Sequence, residues 1–230
     1  LIALILTFAL PIHAQTQATW ENDKLLQDAL VCGITMGIPG ISVAVGVGNR
    51  IVWTGTAGYS DLSRKILVMP QDRFGIGSIT KTFVARVILQ LVEEGLLELD
   101  KTPLDYLDLD IVRRVPNTGK ATLRHLLNHQ SGIPTWEFQP DWIPDGRGDQ
   151  MKLGYIWGKT ETLEYVSHKG ITAKFKPGER YSYSNTNYTI LGLVIEAVTG
   201  NSVSTEIRNR ILEPLQLKNT YLESFEEIPD

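Results

Sequence analysis

Ser78 and Lys81 stand three residues apart where a glycine-broken approach, Phe74-Gly75-Ile76-Gly77, runs into an amphipathic stretch. On a helix, side chains at i and i+3 share a face, so a hydroxyl and an amine come within hydrogen-bond reach. A serine hydroxyl is a weak nucleophile at neutral pH and needs a neighbour to take its proton. Free N–H groups and the dipole at a helix start also favour negative charge developing there. Together these are the means to activate a serine. The pair alone leaves a second reading open, in which Ser78 only caps the helix and Lys81 is solvated.

A second group follows at Phe175-Lys176-Pro177-Gly178 and Tyr181-Ser182-Tyr183-Ser184-Asn185-Thr186-Asn187-Tyr188. Pro177-Gly178 is a turn signal, and the hydroxyl-rich run leads into an apolar helix. Taken alone, Asn185 or Asn187 reads equally as a helix N-cap and the tyrosines as packing. Gly75-Ile76-Gly77-Ser78-Ile79-Thr80-Lys81-Thr82 falls one residue short of a phosphate-binding loop, because Thr80 stands where the second glycine must let the backbone wrap the phosphates. His125 and His129 have zinc-ligand spacing, yet Leu126 stands where the accompanying glutamate belongs, so a packing role is expected and no metal. No Gly-x-Ser-x-Gly elbow occurs, which argues against an α/β-hydrolase fold.

The elements that must position these groups follow from periodicity and punctuation. A helix is predicted over 20–36, ended by Gly37-Ile38-Pro39-Gly40. β-Branched runs at 41–47 and 51–56, split by Gly48-Asn49-Arg50, predict a hairpin, and 57–70 reads as irregular. The central helix opens at Ser78 and closes at Gly95, with Ile79, Phe83, Val84, Val87, Ile88, Leu91 and Val92 as its inward face. Further helices are predicted over 100–107, 122–128, 160–168, 188–198 and 202–212. Residues 134–158 carry Trp136, Trp142 and Trp157 among prolines and glycines and read as a surface excursion, packed on itself or walling a site. A hairpin is marginal alone and needs more strands or a covering helix.

At 230 residues, 43% hydrophobic and 21% charged, the chain has the composition of a globular protein with enough length for a core. A formal charge of -4, with Lys and Arg dispersed, leaves no basic stripe for nucleic acid. Residues 1–10 are nearly all apolar and Pro11-Ile12-His13-Ala14 follows, so 1–14 reads as part of a secretory signal and the protein as exported, periplasmic or extracellular. That apolar run is too short to span a bilayer, so no stable membrane span is expected after cleavage. Cys32 is the sole cysteine, which excludes an internal disulfide, and it reads as a packed helix residue.

In combination and order, Ser78-Ile79-Thr80-Lys81, His129-Gln130-Ser131-Gly132, Phe175-Lys176-Pro177-Gly178 and Tyr183-Ser184-Asn185 resemble the penicillin-recognising serine hydrolases. The likeness is strongest to class C β-lactamases, D-alanyl-D-alanine carboxypeptidases and related esterases, over roughly residues 35–225, with Leu126-Leu127 and 191–196 agreeing as well. The resemblance implies an α+β, β-lactamase/transpeptidase-like fold with an antiparallel sheet packed with helices, residues 15–230 forming one incomplete domain. It implies Ser78 as acylated nucleophile, Lys81 holding its proton, Tyr183 shuttling that proton to the leaving group, and Asn185 binding the substrate amide. Which of Lys81 and Tyr183 is the acylation base stays open. No cofactor is implied, and the partner is a small molecule or peptidoglycan peptide. The family's third element, Lys-Thr-Gly or His-Thr-Gly on a later strand, has no counterpart in order here, since Lys159-Thr160 runs into Glu161 and His168-Lys169-Gly170 precedes Tyr183. The expectation is therefore a piece of a longer hydrolase, with a non-catalytic penicillin sensor or an inactive fragment as the alternatives.

Overall fold

The computed structural model describes residues 22–151 and 154–229, so the expected leader over 1–14 lies outside the described residues. These residues form two units, divided between Gly75 and Ile76.

The first unit is a helix on a small antiparallel sheet. α1 (Asp23–Thr35) is followed by β1 (Gly40–Val47), β2 (Arg50–Asp61) and β3 (Ile66–Leu67), in the sheet order β1-β2-β3. The hairpin forms as expected, with a register shift at Val45/Gly46. Leu30 of α1 and Trp53 of β2 are buried, and the Trp53 ring lies so close over Gly55 that a Cβ there would meet it at 2.3 Å. α1 thus supplies the cover that a marginal hairpin needs.

Two expectations change here. The stretch from residue 57 is not irregular: β2 runs to Asp61 and β3 pairs back on it. Gly58, at φ +79°, interrupts the alternation by which a strand is read, while its neighbour Tyr59 N–H still donates to Pro39 O at 2.7 Å. Asp61 closes the turn by accepting from Ser63 Oγ and Arg64 N–H, which together with the Arg64 side chain hold its carboxyl down at about 2. Cys32 is exposed rather than packed. The inward stripe of α1 runs through Leu26, Leu30, Gly33 and Ile34, and Cys32 sits two residues from Leu30, on the other side of the helix.

The second unit holds α2 (Thr80–Glu93), α3 (Asp110–Arg114), α4 (Leu123–Leu127), α5 (Ile143–Arg147), α6 (Glu161–Ser167), α7 (Asn185–Thr199) and α8 (Val203–Ile207). Its core joins Val87, Ile88 and Leu91 of α2 to Ile190, Leu191, Val194 and Ile195 of α7, with Leu123, Leu126, Leu163 and Ile133 around them. The predicted face of α2 is largely right, but Ile79 is 59% exposed because it lies in the 3-10 turn Gly77–Ile79 ahead of the α-helix. The helix expected over 100–107 is only a 3-10 turn, Pro103–Asp105, closed by a capping box between Thr102 and Asp105. The helix expected over 202–212 is α8 followed by a π-turn at Arg208–Leu212. Around it Arg210 binds Glu206 of α8 at 2.5 Å and Glu94 at the end of α2.

The excursion over 134–158 packs on itself. Trp142 is buried against Trp136, ring centroids 4.9 Å apart, and Trp157 lies 6.2 Å from Trp142. It is less irregular than expected, since the 3-10 turn Trp136–Phe138 and α5 give it short hydrogen-bonded pieces that aromatic packing joins.

Candidate active site

Ser78 lies in the Gly77–Ile79 turn at the head of α2, exposed, with Lys81 one turn on and half-buried. Gly77 has φ +51°, a conformation in which glycine carries no Cβ penalty, and this bend delivers the chain into the turn. Lys81 Nζ donates to Ser78 Oγ at 3.1 Å. Ser78 Oγ and Tyr183 OH are 2.6 Å apart, bringing together side chains 105 residues distant in sequence. The Lys81 ammonium also lies over the rings of Tyr183 and Tyr188, 5.0 and 5.6 Å from their centroids. A hydroxyl, a phenol and an amine thus share one hydrogen-bonded corner. A proton leaving Ser78 has an oxygen to go to, and an ammonium stands beside the charge it leaves behind.

Tyr183 is placed by the first turn of α7, in which four successive residues reach different partners. Asn185 N–H donates to Thr135 Oγ1 at 3.1 Å and Thr186 Oγ1 to Pro134 O at 2.8 Å. Asn187, fully buried, donates to Leu126 O at 3.1 Å and accepts from Ser131 Oγ at 2.7 Å, and Tyr188 OH donates to Leu127 O at 3.1 Å. Burial, and then the neighbouring Tyr183, push the Tyr188 phenol above its usual range, so it stays a donor.

The segment opposite is fixed with equal strictness. Asn117 donates its amide to both Ser131 O and Phe175 O, at 2.7 and 2.9 Å. Between them Gly132 has φ +70°, and a Cβ there would fall 2.1 Å from Phe175 O. Only glycine fits that approach.

Three of the four residues singled out from sequence therefore meet. Asn185 stands two residues beyond Tyr183 in the first turn of α7, and its side chain makes no hydrogen bond among the described residues. Neither asparagine is an N-cap: that position is Ser184, and Asn187 is a buried tie. His125 closes a capping box with Thr122 ahead of α4, its Nδ1 accepting from Thr122 N–H at 3.2 Å. His129, weighed in sequence only with His125 and within a motif, proves to be buried beside Tyr183, ring centroids 4.4 Å apart. Its position just before the Ser131-Gly132 turn is the signal that points to it.

Comparisons with known proteins bear on the family and the fold. A family model described as Beta-lactamase matches residues 24–229. Protein flp of Staphylococcus aureus (strain NCTC 8325 / PS 47) is 30% identical over 185 residues, which cover 80% of this chain and 34% of that protein. The chain thus spans about a third of the length of this curated relative. A D-stereospecific amidohydrolase from Streptomyces sp. superposes with a TM-score of 0.77 at 34% identity, over 90% of this chain and 59% of that one. An octameric penicillin-binding protein homologue from Pyrococcus abyssi gives 0.76 at 33% identity, over 90% of this chain and 45% of that one.

Proposed function

This chain belongs to the beta-lactamase family and has its β-lactamase/transpeptidase-like fold, and from that premise we propose that it works as a serine hydrolase through an acyl-enzyme on Ser78. The observation that carries the reading is the shared corner: Ser78 Oγ is 2.6 Å from Tyr183 OH and 3.1 Å from Lys81 Nζ. Ser78 Oγ attacks the substrate carbonyl, and its proton is taken up by the Tyr183–Lys81 pair in the form that carries one proton fewer, with Tyr183 as phenolate or Lys81 as free amine. The same proton is returned to the departing nitrogen or oxygen as the acyl carbon–heteroatom bond breaks. Water then hydrolyses the ester on Ser78 and restores the hydroxyl. Asn185 is the hydrogen-bonding group for the substrate amide.

The substrate class is D-alanyl-D-alanine peptides, β-lactams or related amides and esters. Support comes from the D-stereospecific amidohydrolase and the penicillin-binding protein homologue among the similar structures. In this reading residues 15–230 contribute to a single hydrolase domain behind a leader ending near Ala14, and the protein acts outside the cytoplasm. Among the described residues no helix is long and apolar enough to cross a membrane.

The test is covalent labelling of the full-length protein with a fluorescent penicillin and with a fluorophosphonate, followed by peptide mass spectrometry. One adduct is expected, on the peptide carrying Ser78, and none in Ser78→Ala. An equal adduct in the alanine variant, or no adduct in folded wild type with either probe, overturns the proposal.

A further inference from the structure

We infer that His129 is the positioning residue that holds Tyr183 against Ser78, by accepting the backbone N–H on each side of the tyrosine and packing its ring along the phenol. The inference rests on the reading above, in which Tyr183 moves the Ser78 proton.

The clamp is specific in its atoms. Ser182 N–H donates to His129 O at 2.9 Å, and Ser184 N–H donates to His129 Nδ1 at 3.2 Å. The two residues flanking Tyr183 are thereby tied to one residue, through its main chain and its side chain. The imidazole then lies 4.4 Å from the Tyr183 ring and 5.3 Å from that of Tyr188, with Tyr181 edge-on at 5.9 Å. His129 itself has φ +57°, an uncommon backbone for a residue with a side chain, which the paired bonds on either side hold in place. The turn that follows continues the tie, since Gln130 O accepts from Gly178 N–H and Gly132 O from Lys174 N–H.

Because Nδ1 accepts, the ring must be neutral with its proton on Nε2. Protonation would set an N–H against the Ser184 N–H and place a second cation near Lys81. The groups facing the ring are Lys81 from α2, Tyr181 and Tyr183 from the segment before α7, and Tyr188 from α7. None of these is a carboxylate that would favour the imidazolium. Burial, and then the Lys81 ammonium, hold the imidazole below the ordinary histidine range. The clamp is therefore intact at neutral pH and opens only in acid.

Asparagine can present an oxygen where Nδ1 stands and tolerates a positive φ, so His129→Asn and His129→Ala divide the role. In the full-length protein, the rate constant for labelling Ser78 with a fluorescent penicillin should fall about a hundredfold in His129→Ala, the scale of a displaced catalytic group. In His129→Asn it should stay within roughly tenfold of wild type. Wild type should lose reactivity on an acid limb below the ordinary histidine range, and His129→Asn should lack that limb. Independently of any reaction, nitrogen NMR of wild type at neutral pH should show an unprotonated Nδ1 and a protonated Nε2.

A ring protonated on Nδ1, or His129→Ala labelling at the wild-type rate, would overturn the role of His129 alone. So would a folded His129→Asn as slow as His129→Ala, since the imidazole would then be acting chemically. Absence of any Ser78 adduct in wild type would overturn the functional reading and this inference with it. Should His129→Ala not fold, the tautomer and the acid limb still decide.

Discussion

Tyr183 OH stands 2.6 Å from the Ser78 oxygen, while Lys81 Nζ is at 3.1 Å, so in the proposed path the Tyr183 oxygen is the group nearer to the serine proton. Tyr183→Phe removes that oxygen yet keeps the ring that packs on His129. Acylation of Ser78 should therefore slow by a factor on the order of a hundred or more, the usual worth of a positioned acid-base group, with the melting temperature little changed. Stopped-flow labelling beside thermal melting checks this, and an unchanged rate would remove Tyr183 from the proton path. The proximity of Ser78 and Lys81 was legible from sequence because the 3-10 turn holding Ser78 runs straight into α2, so the i, i+3 spacing still brings the side chains together. Tyr183 was found only through a resemblance, since nothing local ties it to a serine 105 residues away. The bonds His129 makes were not legible at all: one joins two backbone groups, and the other brings a backbone N–H to an imidazole 55 residues away in sequence.

Among the elements, the long helices were readable, whereas the five-residue helices α3 and α5 were not expected and helix kind was not legible. α2 and α7 carry long apolar periods and appear where expected, whereas 100–107 and 202–212 became a 3-10 turn and a helix running into a π-turn. In both places the departure comes from tertiary bonds. Thr102 and Asp105 close a capping box, and Arg210 is drawn between Glu206 and Glu94. β3 escaped notice because a two-residue strand has no period. The turn at Gly132 also belongs to this scale. Gly132→Ala adds a Cβ 2.1 Å from Phe175 O at φ +70°, so the segments carrying His129 and Tyr183 must part. Backbone strain and overpacking together should cost about 3 kcal/mol. Chemical denaturation would measure that loss, and a midpoint equal to wild type would contradict the described approach.

For the molecule as a whole, acid stability follows from carboxylates whose partners favour the charged form. In the second unit the Arg208 side chain, and then Leu222 N–H, hold the Glu226 carboxyl below its ordinary range against the opposing effect of burial. A lowered folded value means that fewer protons are bound in the native state than in the unfolded chain. The contribution is thus complete above the ordinary glutamate range and disappears as pH falls through the folded value. Glu226→Gln should lower stability by about 1 kcal/mol at pH near 7, after allowance for solvent screening, and by progressively less as the pH falls below the ordinary glutamate range. Melting curves across that range test it, and a deficit that persists in acid would refute the assignment. The first turn of α7 has a consequence of another kind. Asn185, Thr186, Asn187 and Tyr188 point to Thr135, Pro134, Leu126 with Ser131, and Leu127 respectively. One residue inserted between Tyr183 and Asn185 would have to bulge out or else rotate that turn by about 100°, cutting all these ties at once. Between 183 and 188 the length of the chain is therefore fixed to the residue, and so is its register against Pro134, Thr135 and Trp136.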